Sequence, residues 1–391
     1  MANKRPLVLT DGRVAEVDPA DTIVGGFGGV LREVVTSGVS VTVAPDIATQ
    51  QPGDWPIVGA AGVLSAYDYL QSFSPANAGV ILSVVCRAGT YVFTGTFAAG
   101  NSPVRIIADV ANTAPTSVDP ATLYVSPDPA TRLAQMRSYW SVEFNFLTDT
   151  PERTRVSVGN ASSVAFYDIL FTFPLDATTV SGLYADAGGA ILVSSCGVYG
   201  SGYGFRTQTG GTINIAEFVH CTSQSAAAIF AGGFSSIFLR STAKDSILAR
   251  CGNSCFVTSS NSLTEVRLGG GLTVYSRNVS NAGIYCDTSG RFFSNRALDV
   301  SGCSRGVQCI SGGAAEIRSG VKVRGNSTYA VQLQASGTCR LEGIDVDPAG
   351  TATQRTVFVS DNSTLDLRGS TVDTIISPAE GTSGNNGGVV F

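Results

Sequence analysis

The chain is short of charge and nearly without histidine. Of 391 residues, 25 are Lys or Arg, 30 are Asp or Glu and one is His, a charged fraction of 14%. An ordinary soluble domain carries roughly 25%. With a net charge of -5 and no strongly basic block, nucleic acid is excluded as the main partner. There is no uninterrupted apolar run of spanning length, so no membrane insertion is expected. The opening Met1–Gly12 has basic residues but no apolar run of signal-peptide length, so secretion by that route is not expected. There is no P-loop, dinucleotide fingerprint, EF-hand loop or nucleophile elbow. No cofactor and no metal are therefore expected.

What is abundant is glycine and apolar material. Gly numbers 45 and the hydrophobic set makes up 43%. That is too apolar for a disordered chain, and the glycines lack the three-residue period of collagen. The nine cysteines lack CxxC spacing. Cys251 and Cys255 are four apart, but no second pair accompanies them, so the cysteines read as small buried hydrophobes of a reducing compartment. The sole histidine, His220, neighbours Cys221. Adjacent strand residues face opposite ways, which argues against a Cys–His nucleophilic pair.

A repeat organises the chain. Cuts at Arg155, Gly182, Gly204, Ala228, Cys255, Gly283, Gly306, Ala330 and Thr356 are 22–28 residues apart. One position later stands an apolar residue in every repeat, from Val156 and Leu183 to Val357. Seven positions later stands Gly or Ser. Nine and eleven positions later the residues are mostly apolar, with Ser294 the one break in the latter series. Apolar residues two apart share a strand face, and Gly or Ser ahead of them permits a bend. Strand, bend and strand at this period predict an all-β fold, a right-handed single-stranded parallel β-helix. Its nine coils would stack at about 4.8 Å and span roughly 45 Å. The variable remainder of each repeat is expected to leave one corner as a loop. A leucine-rich repeat lacks its Leu/Asn consensus here.

The first third is less regular. Residues 7–17 predict a hairpin turning at Asp11-Gly12, with a flexible joint at Gly25, Gly26, Gly28 and Gly29. Residues 36–44 predict a strand. Ala60–Gln71 predicts an amphipathic helix ended by Pro75 and placed to cap the solenoid. Val80–Cys86 and Gly89–Phe93 predict strands, residues 110–135 a long loop or excursion, and Ser377–Gly388 a loose tail. The organisation expected is a segment 1–50, a capping helix and first coils over 51–150, a β-helix over 151–376 and a tail 377–391.

The order of helix, Gly79–Leu82, Ala88–Tyr91 and coils, behind the opening Arg5–Arg13 with Asp21-Thr22-Ile23, resembles the β-helical tail fibres and tailspikes of bacteriophages. The resemblance implies a pectin-lyase-like β-helix and a homotrimer on the virion. It implies an N-terminal attachment segment, with Pro6, Leu7, Val8, Leu9, Asp11, Gly12 and Arg13 meeting other tail or baseplate proteins. Host cell-surface polysaccharide is the implied partner. A glycan-cleaving tailspike, or a head fibre or decoration protein, are the alternatives.

The candidate contact residues lie in the outward columns. Tyr184, Phe230, Tyr285 and Phe358 stand two positions after their cuts, and Asp186 and Asp287 four positions after. The aromatics suit either sugar stacking or burial between subunits, the latter being favoured. Asp186 and Asp287 would be four coils apart, near 19 Å, too far for the carboxylate pair of glycosidic cleavage. Glu217, Asp245, Glu265, Asp299 and Glu316 are further acids, and Asp345 with Asp347 could share a strand face before Pro348. Glu265, Glu316, Arg340 and Asp366 at ten, with Arg240, Arg267, Arg318, Glu342 and Arg368 at twelve, suit an acidic-glycan groove or a solvated sheet with cross-coil ion pairs. Alternating sign favours the second.

Overall fold

The computed structural model describes residues 7–10, 13–16, 33–100, 102–117, 119, 122–147, 154–160, 162–175, 180–240, 245–266, 274–277, 282–323, 328–346, 357–360, 362–367 and 389–390. Three long parallel sheets form the body. In chain order along a coil we name them sheets I, II and III. Sheet I has ten strands, from Phe97–Ala98 to Val357–Val359. Sheet II has thirteen, from Val39–Val43 to Val389–Val390. Sheet III has ten, from Gly89–Phe93 to Ile344–Val346. Each strand pairs with its counterpart one coil on, the arrangement of a parallel β-solenoid.

The periodic residues stack in register. Val156 pairs Leu183, which pairs Phe205, and so on to Val357. Val164, Ile191, Ile213 and Ile237 do the same in sheet II. All of these are buried in one continuous core. Sheet III was not foreseen: in the repeats cut at Arg155 to Ala330 the remainder contains a third strand. It starts fourteen residues after the cut at Ile169 but nineteen after at Val274, because the corner before it varies in length. A fixed offset therefore loses it. Its inner side chains also form columns. Phe93, Phe146 and Phe173 stack with centroids 4.7 and 5.2 Å apart and planes within 20° of parallel. The break at Ser294 has a local cause. Its hydroxyl donates to the Arg296 carbonyl (2.9 Å) and accepts from the Arg296 amide, so the corner satisfies it while buried.

The corner from sheet I to sheet II sets the coil geometry. In seven consecutive coils its two central residues both have positive φ, from Ala187 and Gly188 (45°, 76°) to Ala335 and Ser336 (48°, 65°). In most of them the following Gly or Ser amide closes the turn, as Gly189 does onto the Asp186 carbonyl at 2.7 Å. This is type I′ geometry. Gly211 then passes so near the preceding coil that a Cβ would lie 2.2 Å from the Ala185 carbonyl oxygen. Glycine is required there by close approach.

The N-terminal expectations fare differently. Leu7–Thr10 and Arg13–Glu16 form the antiparallel hairpin, with Thr10 opposite Arg13. Helix α1 (Gly59–Leu70) forms as expected, but it ends at Gln71, ahead of Pro75, which lies in the strand Phe73–Pro75. Its Val63, Ala66, Tyr67 and Leu70 enter the main core. The strand Val39–Val43 is the outermost of sheet II. The excursion over 110–135 is not wholly loop, for helix α2 occupies Pro129–Arg137. Asp128 caps it by accepting from the amides of Ala130 and Thr131, and Pro129 opens it. Pro6, Asp11, Gly12, the joint glycines, Asp21–Ile23, Arg267, Asp347, Pro348, Arg368 and Ser377–Gly388 lie outside the described residues.

All nine cysteines are free and buried. Burial pushes the Cys196 thiol up to about 12, so these thiols are poor nucleophiles. A thiol reagent should label none of the nine in the native protein and all nine after unfolding. Ala335 holds a left-handed conformation that costs a non-glycine residue about 1–2 kcal/mol. Replacing it by glycine should raise the free energy of unfolding by about 0.5–1 kcal/mol after glycine's entropic cost, read as a shift in the urea midpoint.

Candidate functional site

Every coil offers three outer faces, and each is finished differently. On sheet III the outer column runs Leu170, Gly197, His220 and Ile247. The excursion covers it. Ala114, Leu123, Tyr124, Met136 and Trp140 pack on Leu170, Tyr199, Phe218, Ile247 and Ala249 as a second apolar cluster. The Trp140 indole donates to the Ser195 carbonyl at 2.8 Å. Arg132 donates to the Ser223 hydroxyl and to the Ser126 and Pro127 carbonyls. His220 is fully buried here, its Nδ1 2.8 Å from the Tyr124 hydroxyl and its ring against Trp140 and Phe218. Cys221 lies in the main core on the opposite face, so the two do not pair. Gly197 makes room for this strap: a Cβ would sit 2.8 Å from Leu170 and 3.0 Å from Met136.

On sheet II the outer face carries a groove of about 900 Å³ lined by Glu265, Arg291, Phe293, Glu316, Arg340 and Asp366. Arg318 bonds Glu316 at 2.7 Å and lies 5.2 Å from the Phe293 ring centroid. Arg340 reaches Glu316, Glu342 and Asp366, at 3.5, 2.5 and 4.0 Å. Cross-coil ion pairs therefore line this face, as the alternating signs imply. Exposed pairs of this kind contribute about 0–1 kcal/mol each. Glu316 and Asp366 stand two coils apart with Arg340 between them. Of the other acids, Glu217 accepts from the Ser195 hydroxyl, Asp299 accepts from the Ser301 amide, and Asp345 pairs by backbone with Lys322.

On sheet I the outer column reads Tyr184, Arg206, Phe230, Val257, Tyr285, Gln308, Gln332, Phe358. All five candidate contact residues, Tyr184, Asp186, Phe230, Tyr285 and Asp287, thus fall on this face or its corner. The Tyr184 hydroxyl donates to Asp186 at 2.9 Å and that of Tyr285 to Asp287 at 3.1 Å. Burial, then the neighbouring carboxylate, pushes both phenols up to about 12. Asp186 also accepts from the Ala187 amide, so it braces the turn. The Arg206 guanidinium lies 4.9 Å from the Tyr203 ring centroid, 5.4 Å from that of Phe230 and 5.7 Å from that of Tyr184. Gln308 donates to Gln332 at 3.1 Å. Sequence reasoning passed over Arg206, Gln308 and Gln332, though they share the offset that singled out the aromatics.

Among the described residues no group of three or more His, Cys, Asp or Glu could hold a metal ion, and no helix is long and apolar enough to cross a membrane. These features define a parallel β-solenoid with one self-covered face, one ion-paired face and one aromatic face. No family model, curated protein or solved structure matches the chain.

Substituting Gly197 by Val should lift the strap. Limited proteolysis should then cut within 110–128 at least tenfold faster, with a shift in tryptophan emission. The far-UV spectrum of the solenoid should be retained.

Proposed function

We propose that the chain is a structural protein of a bacteriophage virion, a tail fibre or short spike. In this reading it is a homotrimer whose right-handed β-helix displays a host-surface glycan-binding face. Residues 1–50, with the hairpin of Leu7–Thr10 and Arg13–Glu16, meet other tail or baseplate proteins. Helix α1 caps the first coils. The observation that carries the reading is the long run of coils held in register by three parallel sheets. A stiff rod presents its columns at a fixed spacing, and rigidity of this kind lowers the ordering cost of binding.

The glycan-cleaving alternative is less well supported. Among the described acids of one chain, the groove offers Glu265, Glu316 and Asp366, and Arg340 engages two of these; a pair built between chains is the form of this alternative that remains. Incubating the purified protein with host surface polysaccharide tests the choice. The expected outcome is binding with no new reducing ends and no fall in polymer size. Release of reducing ends would overturn the non-catalytic reading.

A further inference from the structure

We infer that the first coils of sheet II hold a site for one carboxylate-bearing sugar residue of an acidic glycan; this rests on the glycan-binding reading above. The site is a pocket of about 250 Å³ on the outer face of the strands Val104–Ala108, Ser163–Tyr167, Ala190–Ser194 and Thr212–Ile215. Register explains its shape. The outward column there reads Arg105, Ala165, Leu192, Asn214. Short side chains at Ser163, Ala165 and Ala190 leave a dish. Arg105 closes one end and Asn214 the other, three coil steps or about 14 Å away. Tyr167 lines it as well. Outward Ala165 and Leu192 depart from the polar side chains expected on a solvated face, and here they form the floor.

The electrostatics single out an anion. Among the described residues lining the pocket, Arg105 is the only charged one. Its guanidinium lies 5.7 Å from the Tyr167 ring centroid, a contact that orients the cation without neutralising it. Among the described residues no carboxylate pairs with Arg105, and the Tyr167 hydroxyl and the Asn214 side-chain amide have no hydrogen-bond partner. The nearest acid along this column is Glu265, five coil steps or about 24 Å from Arg105. That is beyond the Debye length of about 8–10 Å. Arg318 and Arg340 of the groove, by contrast, are already paired with acids.

The open groups describe the ligand. One guanidinium takes one carboxylate as a bidentate pair. A phosphate monoester carries close to two charges, and the pocket lining offers no second cation. Ala165 and Leu192 suit the C–H face of a pyranose ring. The Asn214 amide can both donate to and accept from sugar hydroxyls. The volume is below the roughly 300–1,000 Å³ of drug-sized sites, so the pocket takes one sugar residue rather than a stretch of polymer.

Ligand-observed NMR provides the test, with the methyl glycosides of glucuronic and galacturonic acid and of their neutral parents as probes. Binding of the wild type to host surface polysaccharide is measured on the same sample. At least one acidic probe should bind the wild type at least tenfold more tightly than its neutral parent, and more weakly as salt rises. Arg105→Gln should remove that preference. Ala165→Leu, which fills the dish and leaves Arg105 in place, should weaken the acidic probe at least tenfold and serves should Arg105→Gln not fold. A wild type that binds the polysaccharide but does not distinguish acidic from neutral probes overturns this inference and leaves the glycan-binding reading standing. A wild type that binds neither polysaccharide nor probe overturns both. Preference kept in folded Arg105→Gln, or lost in Arg291→Gln instead, puts the anion elsewhere and overturns the assignment. Inorganic phosphate that displaces the acidic probe as well as free glucuronate does overturns the carboxylate class.

Discussion

The backbone hydrogen bond from each coil to the next is the interaction on which everything else rests. It holds equivalent strands about 4.8 Å apart, so every coil must reproduce the path of its neighbour. The sheet I to sheet II corner shows how strict this is. Ala187, Thr209, Thr288 and Ala335 accept a left-handed backbone that their side chains disfavour, because a different turn would throw the following strand out of register. Where Gly189, Gly211, Gly290, Gly313 and Gly337 follow these turns, a Cβ would meet the carbonyl of the preceding coil. Turn strain and glycine demand are thus consequences of stacking.

Stacking also converts sequence offsets into columns, and columns let each face take its own character. Inward, aliphatic and phenylalanine columns make one core, and thiols serve as small apolar fillers. Outward, neighbouring coils contribute side chains close enough to pair, which is the sheet counterpart of helix i,i+4 contacts. Arg340 with Glu316 and Asp366, Gln308 with Gln332, and Arg206 with Tyr184 and Phe230 are three versions of that contact. Stability in such an array is close to a sum over coils and their neighbours, with the ends as special cases. Helix α1 meets the first coils, and Arg87 ties the adjoining loop by a paired contact to Asp54 at 2.7 and 2.8 Å.

Among the described residues the strap is the largest departure from repetition. This helical excursion has no counterpart in other coils among the described residues, so its packing is specified by single residues. Gly197 leaves the space that Met136 and Trp140 fill. Ser223 takes two bonds from Arg132 that would otherwise leave a guanidinium poorly satisfied in a buried place. His220 is part of this covered layer through Tyr124.

The sequence by itself determined the solenoid, the register of sheets I and II, helix α1 and the N-terminal hairpin. Those features repeat at fixed offsets or depend on neighbours close in the chain, and local periodicity reports both. It also identified the outward aromatics and the acids beside them, because they share the offsets of the core columns. Only the tertiary structure decided where the variable part of each repeat goes. Sheet III follows corners of unequal length, so alignment by offset blurs it although its strands stack as regularly as the others. Only the tertiary structure, too, decided that the strap covers His220, that Asp186 braces a turn, that Tyr285 bonds Asp287, and that Arg340 joins two acids of the groove. Each of these depends on residues from different coils or from outside the repeat, and a single line of sequence does not encode which of them meet.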